Sequence, residues 1–526
     1  MAIKRFYATK DTTITNAFKA NLTTRGTGSN MGEADTLEIF SIYAQANTSS
    51  HEMSRALIDF NVDAITNARA SGSIPASGSV EFYLKMHNAK HSYTTPRKYW
   101  IDIIPISQSW EEGYGLDMDE YTDKGEANWI KASNSVTWSG EGGDYLTGSE
   151  WYPTASAYFE RGYENLDVRI SHIVERWLKK DKYFLNYGLG IKLSGTYETG
   201  STNSYYTKKF FARSTEYFFK RPCIEARWDT STKDQRGDTY FSSSLMTGPD
   251  NLNTIYLYNY VRGQLKNIPG VLSGALNVQI FSGTLENTAP SGSAIELVVD
   301  NKYVLAGVGN RTNTVITGGF VSTGIYSASF AITASKTPLT HIFDVWYTGS
   351  KAKSAEQAGG NRNYFTGVIK PRRIETSMIN PTPRYTTKIT NLKPSYHPDE
   401  IAKLRLYVRD KDWNPNIYMV ATKELDTKTI EDAYYKVIRE ADNLLAIPYG
   451  TGSGPHLGDG GSPDVHNDDP RFTRLSYDVS GNYFDLDMSL LEPGYMYKIK
   501  LLYDINGSLR EQKEAFKFRV DKHDSE

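Results

Sequence analysis

Cysteine and long apolar runs are nearly absent from this sequence. Cys223 is the only cysteine among the 526 residues, so no disulfide bond can form within the chain. No segment approaches the ~18 uninterrupted apolar residues of a membrane-spanning helix, and the first residues contain no apolar run of signal-peptide length. These absences predict a protein that is made and folded in a cytoplasm and has no membrane partner.

A surplus of either charge is also missing. The 59 Lys and Arg residues are balanced by 61 Asp and Glu residues, for a formal net charge of -2. A general nucleic-acid binder needs excess positive charge to displace counterions from phosphates, so this balance argues against nucleic acid as a partner. The phosphate-binding motif Gly-x-x-x-x-Gly-Lys-[Ser/Thr] and the nucleophile motif Gly-x-Ser-x-Gly do not occur. We therefore predict a protein that is not an enzyme and uses no cofactor.

Aromatic residues and glycine are abundant. The chain contains 37 Tyr, 21 Phe and 9 Trp, together 13% of its residues, and 42 Gly. A disordered chain would not carry so many rings, whereas sequences rich in Tyr and Gly are typical of β-sheet domains with long polar loops. Because 526 residues exceed what one compact core usually holds, we expect several domains.

Short segments that alternate apolar and polar residues dominate the beginning of the chain. Residues 55–60 and 80–86 are examples, and Gly-, Ser- and Asn-rich connectors separate such segments. Apolar residues recur near helical spacing over 168–177, which indicates one helical turn. The pattern predicts a jelly-roll-like β-sandwich with long insertions over residues 1–240.

The alternation continues through two further blocks. Residues 254–261 are typical of the strands that predict an immunoglobulin-like β-sandwich over 241–375. Residues 495–501 are typical of a second such sandwich over 376–526, which a long polar loop at 449–470 interrupts. The predicted fold class is therefore all-β, with tandem antiparallel β-sandwiches.

Several short segments occur in a set order along the first domain. They are residues 9–14, 30–39, 54–60, 109–112, 136–138, 167–177, 186–189 and 220–222. With these segments the first domain resembles the DNRLRE-type β-sandwich module, which is related to carbohydrate-binding sandwiches. The sequence departs from that module in its length, because it has extra residues at 111–165.

The whole chain, from Lys4-Arg5-Phe6-Tyr7-Ala8 through the two trailing sandwiches, resembles virion structural proteins of large contractile-tailed marine and cyanobacterial phages. The resemblance implies a non-enzymatic component of the virus particle, on its head, neck or tail, that is made and assembled in the cytoplasm of the bacterial host. Its partners would be other virion proteins and copies of itself, so that it forms a homo-oligomer in a symmetric assembly. The alternative function is a carbohydrate-binding adhesin module that contacts a glycan.

Two acidic clusters are candidate metal sites. Residues 117–123 contain four carboxylates, which as hard oxygen ligands could bind calcium, but they lack the spacing of a helix-loop-helix calcium site. A second cluster lies in the long polar loop and consists of Asp459, Asp464, His466, Asp468 and Asp469. Since runs of charge are usually solvated, we favour exposed acidic loops at both places and assign no metal ligand.

Four tryptophans, Trp110, Trp129, Trp138 and Trp151, fall within the extended insertion of the first domain. Exposed rings stack on the faces of sugars, so these residues are the candidates for glycan binding. Buried tryptophan is common, and an assembly protein also needs aromatic anchors. We therefore favour tryptophans that fill the core or an interface with a neighbouring subunit.

Candidates for catalysis are weak. Glu111, Glu112 and Asp117 could supply the two carboxylates of glycoside cleavage, but closeness in sequence does not place two groups across a cleft. Cys223 lies in a predicted strand and is interpreted as a small buried residue. The basic stretch 208–213 contains Phe210 and Phe211, and its alternation favours a strand with one solvated face over a nucleic-acid site. We assign no catalytic residue.

Overall fold

The computed structural model of the chain describes most of its length. The described residues are 2–92, 96–147, 153–200, 202, 206–243, 246–269, 271, 276–284, 290–298, 312–333, 339–349, 362–372, 383–411, 427–451 and 471–522. The chain divides into two compact units, the first comprising Met1–Thr230 with Tyr449–Thr473 and the second Ser231–Pro448 with Arg474–Glu526. The division into three domains at 1–240, 241–375 and 376–526 stays a prediction.

The first unit is built mainly from strands. These are β1 Ile3–Thr15, β2 Thr36–Tyr43, β3 His51–Phe60, β4 Glu81–Met86, β5 Tyr99–Pro105, β6 Ala155–Phe159, β7 Leu166–Arg169, β8 Leu189–Leu193, β9 Tyr206–Phe211 and β10 Cys223–Arg227. Their order in the sheet is β6-β5-β8-β3-β1-β10-β4-β7, and β2 pairs with both β3 and β9. Every pair in this order is antiparallel.

The long strand β1 explains how one sheet encloses a core. Its first half pairs with β10 and its second half with β3, and a bulge between Ala8 and Lys10 separates the two registers. A bulge bends a strand and increases its twist, so β1 passes from one face of the sandwich to the other. Alternate residues such as Phe6, Ile58 and Phe82 point into the enclosed apolar core.

Two helices lie in the first unit. Helix α2, Ser171–Leu178, buries Ile173, Val174 and Trp177, so the helical turn expected near 168–177 is confirmed. Helix α1, Val62–Ala70, was not predicted, although its N-cap Asn61 accepts a hydrogen bond from the backbone N–H of Ala64 and is a recognisable start signal. The two helices lie side by side, since Arg69 on α1 donates a 3.0 Å hydrogen bond to Glu175 on α2.

The second unit contains the remaining strands. Over 241–369 these are β11 Phe241–Ser242, β12 Asn253–Tyr258, β13 Tyr260–Val261, β14 Gln264–Leu265, β15 Leu276–Gly283, β16 Leu297–Val298, β17 Thr312–Asn313, β18 Ile316–Ser322, β19 Ile325–Phe330, β20 Ile332–Thr333, β21 His341–Thr348 and β22 Arg362–Ile369. The main sheet has the order β12-β19-β18-β15-β21-β22 and is antiparallel throughout. Strand β18 pairs with β15 through its beginning and with β19 through its end, so the sheet bends there around the core of Ile255, Tyr326 and Trp346.

A two-sheet sandwich follows. Its strands are β23 Tyr385–Ile389, β24 Ser395–Tyr396, β25 Ile401–Asp410, β26 Ala433–Arg439, β27 Leu445–Ile447, β28 Ser476–Asp478, β29 Gly481–Asp487, β30 Met496–Ile505, β31 Ser508–Glu511 and β32 Phe516–Val520. One sheet has the order β23-β25-β29-β28 and the other β24-β32-β30-β26-β27, with β31 on β30. The sheets meet face to face, because the rings of Tyr435 and Phe484 stack at 4.3 Å and Thr387 and Tyr503 hydroxyls lie 2.7 Å apart.

The predicted all-β class of tandem antiparallel β-sandwiches is confirmed. Parallel pairing is confined, in the described strands, to the short pairs β11–β20 and β24–β32. Within the part of the chain described above, the structure contains no helix of the length and apolarity needed to cross a bilayer. The physical reason for the fold is local: alternate residues are buried along strand after strand, for example Leu404, Leu406 and Val408 of β25.

Candidate functional site

Glu112 serves as a structural ion-pair partner. It receives hydrogen bonds from Arg213, from Nε at 3.0 Å and from Nη2 at 2.9 Å, and from the backbone N–H of Asp11 at 2.6 Å. Glu111 is exposed and lies beside Glu126, whose pKa is raised by their mutual hydrogen bond. The structure therefore gives Glu111 and Glu112 different neighbours and does not bring them to face each other as a pair.

The acidic loop, defined as residues 114–123, uses its carboxylates to hold its own backbone. Oδ1 of Asp117 accepts hydrogen bonds from the backbone N–H groups of Tyr121, Asp119 and Glu120, which lower the pKa of Asp117. Asp119 also pairs with Lys19 at 2.8 Å. No group of three or more potential metal ligands occurs among the described residues. The second acidic cluster, Asp459 to Asp469, lies outside the described residues.

The tryptophans of the insertion are buried. Trp110, Trp129 and Trp138 pack together with Ile14, Leu57 and Ile106 in a small core of their own. The indole N–H of Trp110 donates to the carbonyl of Tyr187 at 2.9 Å, and that of Trp138 to Asn128 at 2.8 Å. These three rings are thus core residues and not a sugar-stacking surface, while Trp151 lies outside the described residues.

Asn30 holds the insertion against the sandwich. Its Nδ2 donates to the carbonyls of Glu112 and Ala127, both at 2.7 Å, and its Oδ1 accepts from the N–H groups of Gly32 at 3.0 Å and Gly115 at 3.1 Å. All four polar positions of this buried amide are therefore satisfied. The acidic loop is consequently presented in a defined position.

The exposed rings of the insertion are tyrosines. Tyr114 is 79% exposed and Tyr121 62% exposed, and Leu116 between them is also exposed. A 2.7 Å backbone hydrogen bond from Leu116 to Tyr121 keeps these residues together. The sequence analysis did not predict these exposed rings because it considered only tryptophans as ring candidates. Tyr114 stands between two glycines in an acidic segment, and this pattern indicates an exposed ring.

A second cluster, half-buried except for two exposed rings, lies around the turn that connects β9 to β10, and we call it the aromatic–basic surface. It is formed by Tyr7, Phe211, Tyr217, Phe218, Lys220 and Arg221. The ammonium of Lys220 lies 4.5 Å from the ring centre of Tyr217 and 4.8 Å from that of Phe211, and Tyr7 and Phe218 are 4.6 Å apart. Tyr217 and Phe218 are nonetheless 44% and 48% exposed. Such a mixture of rings and cations is typical of binding surfaces.

The aromatic–basic surface and the acidic loop are neighbours. The Arg213–Glu112 ion pair joins the segment that leads to Tyr217 with the segment that leads to Tyr114. Both segments also form backbone hydrogen bonds to the stretch 33–35. The segment that leads to Tyr217 is bonded to Asp35, and the segment around Tyr114 is bonded to Glu33. Opposite charge and exposed rings therefore lie side by side on the first unit.

The basic stretch 208–213 begins in a strand, and β9 ends at Phe211. The buried face of β9 carries Tyr206, Lys208 and Phe210, so a lysine occupies a position that the alternation assigns to the core. Burial lowers the pKa of Lys208 to about 7, with the nearby Glu164 opposing that effect. On the opposite face of β9, Lys209 and Phe211 are half-buried. One lysine and one ring do not form a nucleic-acid patch.

Cys223 is buried, as expected, but its neighbours are charged. Cys223 lies on the face of the sheet opposite the apolar core, where Arg5 and Lys85 are its charged neighbours. Burial raises the pKa of its thiol to about 11. A thiol that stays protonated at neutral pH is a poor nucleophile.

The free energy of unfolding of the first unit is expected to fall between about pH 4 and pH 7 because of Asp11. Burial raises the pKa of Asp11 to about 7, against the opposing hydrogen bond from the backbone N–H of Arg213. In this range the folded protein keeps a proton that the unfolded chain has released, so stability decreases by up to roughly 1.4 kcal/mol per pH unit. Asp11→Asn should remove this slope in chemical denaturation near pH 5 and pH 7.5, whereas the exposed Asp63→Asn should keep it. A slope that survives Asp11→Asn would contradict the assignment.

No model of a protein family matches the chain, and no curated protein matches it. Among solved structures it is similar to the crystal structure of the N-terminal Ig1-2 module of Drosophila receptor protein tyrosine phosphatase DLAR, with 10% identity and a TM-score of 0.14. The match covers 52% of this chain and 91% of that one.

Proposed function

We propose that the protein is a non-enzymatic structural component of a tailed-phage virion that assembles with copies of itself and with other virion proteins. The observation that carries self-assembly is the adjacency of the aromatic–basic surface and the acidic loop. The virion setting is supported by the sequence resemblance alone. Candidate catalytic groups such as Glu112 take part in structural ion pairs, which fits a building block better than an enzyme.

The charges of the two surfaces are complementary. Residues 114–123 carry four carboxylates and no Lys or Arg, and one of the four, Asp119, pairs with Lys19 of the same unit. The segment 211–221 carries Lys220 and Arg221 against the single carboxylate of Glu216, besides Arg213, which pairs with Glu112. Exposed rings on both sides, Tyr114 and Tyr121 facing Tyr217 and Phe218 of another copy, would supply the apolar part of the contact.

Adjacency favours a two-fold arrangement. When two complementary surfaces lie side by side on one unit, a two-fold axis between them places each surface opposite its complement on the second copy. The contact then occurs twice, so that modest polar contacts combine into a stable pair.

A charge-swap experiment tests this arrangement. We expect Lys220→Glu and Glu120→Lys each to weaken self-association at least ~10-fold in sedimentation velocity at low salt, because each creates two like-charge contacts. An equimolar mixture of the two variants should recover association, since both contacts in the mixed pair are then between opposite charges. The exposed Lys180→Glu is the matched control and should change association less than about twofold.

Two results would contradict the proposal at different points. A wild-type protein that is monomeric at ~100 μM, or a mixture that fails to recover, would exclude the two-fold contact. Mass spectrometry of purified particles of the source virus that finds no trace of the chain would exclude the virion role, whatever its self-association.

A further inference from the structure

Two hairpin turns lie side by side in the second unit. One is the turn of the β13–β14 hairpin, in which Arg262 and Gly263 have left-handed φ angles of +53° and +78°. The other joins β18 to β19 through Thr323 and Gly324. A two-residue turn with both φ angles positive matches the twist of the strands that it joins, so the β13–β14 hairpin closes tightly.

Hydrogen bonds fasten the two turns to each other. The backbone N–H of Asn259 donates to the carbonyl of Gly324 at 2.8 Å, and the N–H of Gly324 donates to Oδ1 of Asn267 at 2.7 Å. Nδ2 of Asn259 donates to the carbonyl of Lys266 at 2.6 Å and so closes the base of the β13–β14 hairpin. A Cβ at residue 324 would lie only 2.7 Å from the backbone nitrogen of Lys266, so the close approach requires this glycine. The two turns therefore form one preformed structure.

Four apolar side chains are exposed on these turns, and we call them the hydrophobic tip. Tyr260, Val261, Phe320 and Val321 each expose between 43% and 59% of their surface. Both members of each consecutive pair are exposed, although successive side chains of a strand point to opposite faces. Both faces of these strand ends are thus uncovered, which means that the tip projects beyond the packed sheet.

The charges on the two turns are all positive. Arg262 and Lys266 are exposed, and residues 259–267 and 317–326 contain no Asp or Glu. Apolar side chains that project in both directions do not form the flat, well-packed patch of a stable protein contact, whereas fluid lipids surround them on all sides. Rings and aliphatic groups enter the boundary between headgroups and acyl chains, while Arg and Lys stay beside the phosphates.

We propose that the hydrophobic tip binds the surface of a membrane that contains anionic phospholipids. The expectation of no membrane partner was based on the absence of spanning and signal segments. A surface contact needs no such segment, because a few exposed side chains that enter the boundary layer are sufficient. The contact uses the second unit alone, so it does not depend on the assembly contact proposed for the first unit.

Sedimentation of the full chain with vesicles tests the contact. With ~30 mol% phosphatidylglycerol in phosphatidylcholine at low salt, we expect half of the protein to bind near ~1 mM accessible lipid, and binding at least ~10-fold weaker to phosphatidylcholine alone. The double variant Phe320→Ser/Val321→Ser and the single variant Lys266→Glu should each weaken binding at least ~10-fold. Val479→Ser and Lys388→Glu, at exposed positions elsewhere in the second unit, are the matched controls and should change binding less than about twofold.

A fluorescent label shows whether the tip enters the lipid. Cys223 is buried, so a thiol-reactive nitrobenzoxadiazole dye attaches selectively to the exposed thiol of Val321→Cys. Its emission should rise at least ~2-fold when anionic vesicles are added, because the dye leaves water for an apolar layer. The same dye on Ser508→Cys, at an exposed position of β31, should keep its emission.

Four outcomes would overturn the assignment. They are the absence of binding to anionic vesicles, equally tight binding to phosphatidylcholine alone, binding that both tip variants retain, and equal increases in emission from the two labelled positions. Loss of self-association by Phe320→Ser/Val321→Ser without lipid would also overturn it, since the tip would then serve a contact between copies of the chain.

Discussion

Glu225→Gln is expected to lower the free energy of unfolding of the first unit by about 4 kcal/mol. Glu225 lies almost fully buried on β10 and is surrounded by cations: Nε of Arg5 at 2.9 Å, Nε of Arg227 at 2.7 Å and Nζ of Lys85 at 3.7 Å. Removing its charge leaves these buried cations without their shared counterion, while Arg227 keeps a second carboxylate, Asp167, at 2.9 Å. Urea denaturation, with hydrogen exchange of peptides covering β10, would measure the loss.

The pH dependence of Glu225 has a defined sign. Burial acts to raise the pKa of this carboxyl, but the charges of Lys85, Arg227 and Arg5 outweigh burial and hold the pKa well below its usual range. The stabilisation is therefore fully present above the ordinary glutamate value and is lost as the pH falls through the lowered pKa. Glu225→Gln should show a weaker loss of stability in acid than the wild type.

A solvent-accessible pair supplies the control. Glu38 and Lys209 form a partly exposed ion pair on β2 and β9 of the same unit. Glu38→Gln should cost less than about 1 kcal/mol, because exposed ion pairs contribute little. Similar losses for both variants would contradict the idea that buried charge, and not mere pairing, is responsible.

Asp344→Asn is expected to destabilise the second unit by about 3–5 kcal/mol. Asp344 on β21 is completely buried, pairs with the guanidinium of Arg236 and accepts a 2.7 Å hydrogen bond from the indole N–H of Trp346. Arg236 reaches this position only because residue 367 is glycine: a Cβ there would lie 2.1 Å from Nη1 of Arg236. Asparagine removes the charge that compensates the buried guanidinium. Chemical denaturation of the full chain would measure the change.

A double variant separates the ion pair from general packing. Arg236→Met in the Asp344→Asn background should recover part of the loss, since no buried charge then lacks a partner. Asp410→Asn, which breaks the exposed 2.8 Å pair with Lys428, should cost less than about 1 kcal/mol. Additive losses in the double variant would show that the two side chains do not act as a pair.

The Arg236 segment also joins the two β-regions of the second unit. Lys233 forms a parallel bridge to Tyr477, and Tyr240 forms another to Arg372. The backbone N–H of Thr232 donates to the hydroxyl of Ser476 at 2.9 Å. This connector is therefore hydrogen-bonded to both regions of the second unit.

The candidate sites show where sequence reasoning succeeded and where it did not. The helical spacing over 168–177 located α2, and the alternation over 208–211 predicted the strand β9. The same alternation could not reveal that Lys208 faces inward, because its acceptors come from Asn88, Gly162 and Glu164, far away in the chain. A two-residue period shows that successive side chains point to opposite faces of a strand. It does not show which distant residues pack against either face.

The tryptophans illustrate the same limit. Their sequence positions allowed either a sugar-stacking surface or a core, and only the packing of Trp129 and Trp138 against Ile14 and Leu57 decided for the core. Exposure depends on which distant segments cover a side chain. The exposure of Tyr114 and Tyr121 could therefore not be predicted from residue type alone.

By itself the sequence determined the all-β class, because alternation and turn-forming residues act over a few neighbours in the chain. Tertiary structure alone decided which charged side chains became internal, as for Glu225, which meets Arg5 across 220 positions of the chain. Burial and electrostatic pairing depend on three-dimensional neighbours, so the proposed assembly surface became visible only in the folded chain.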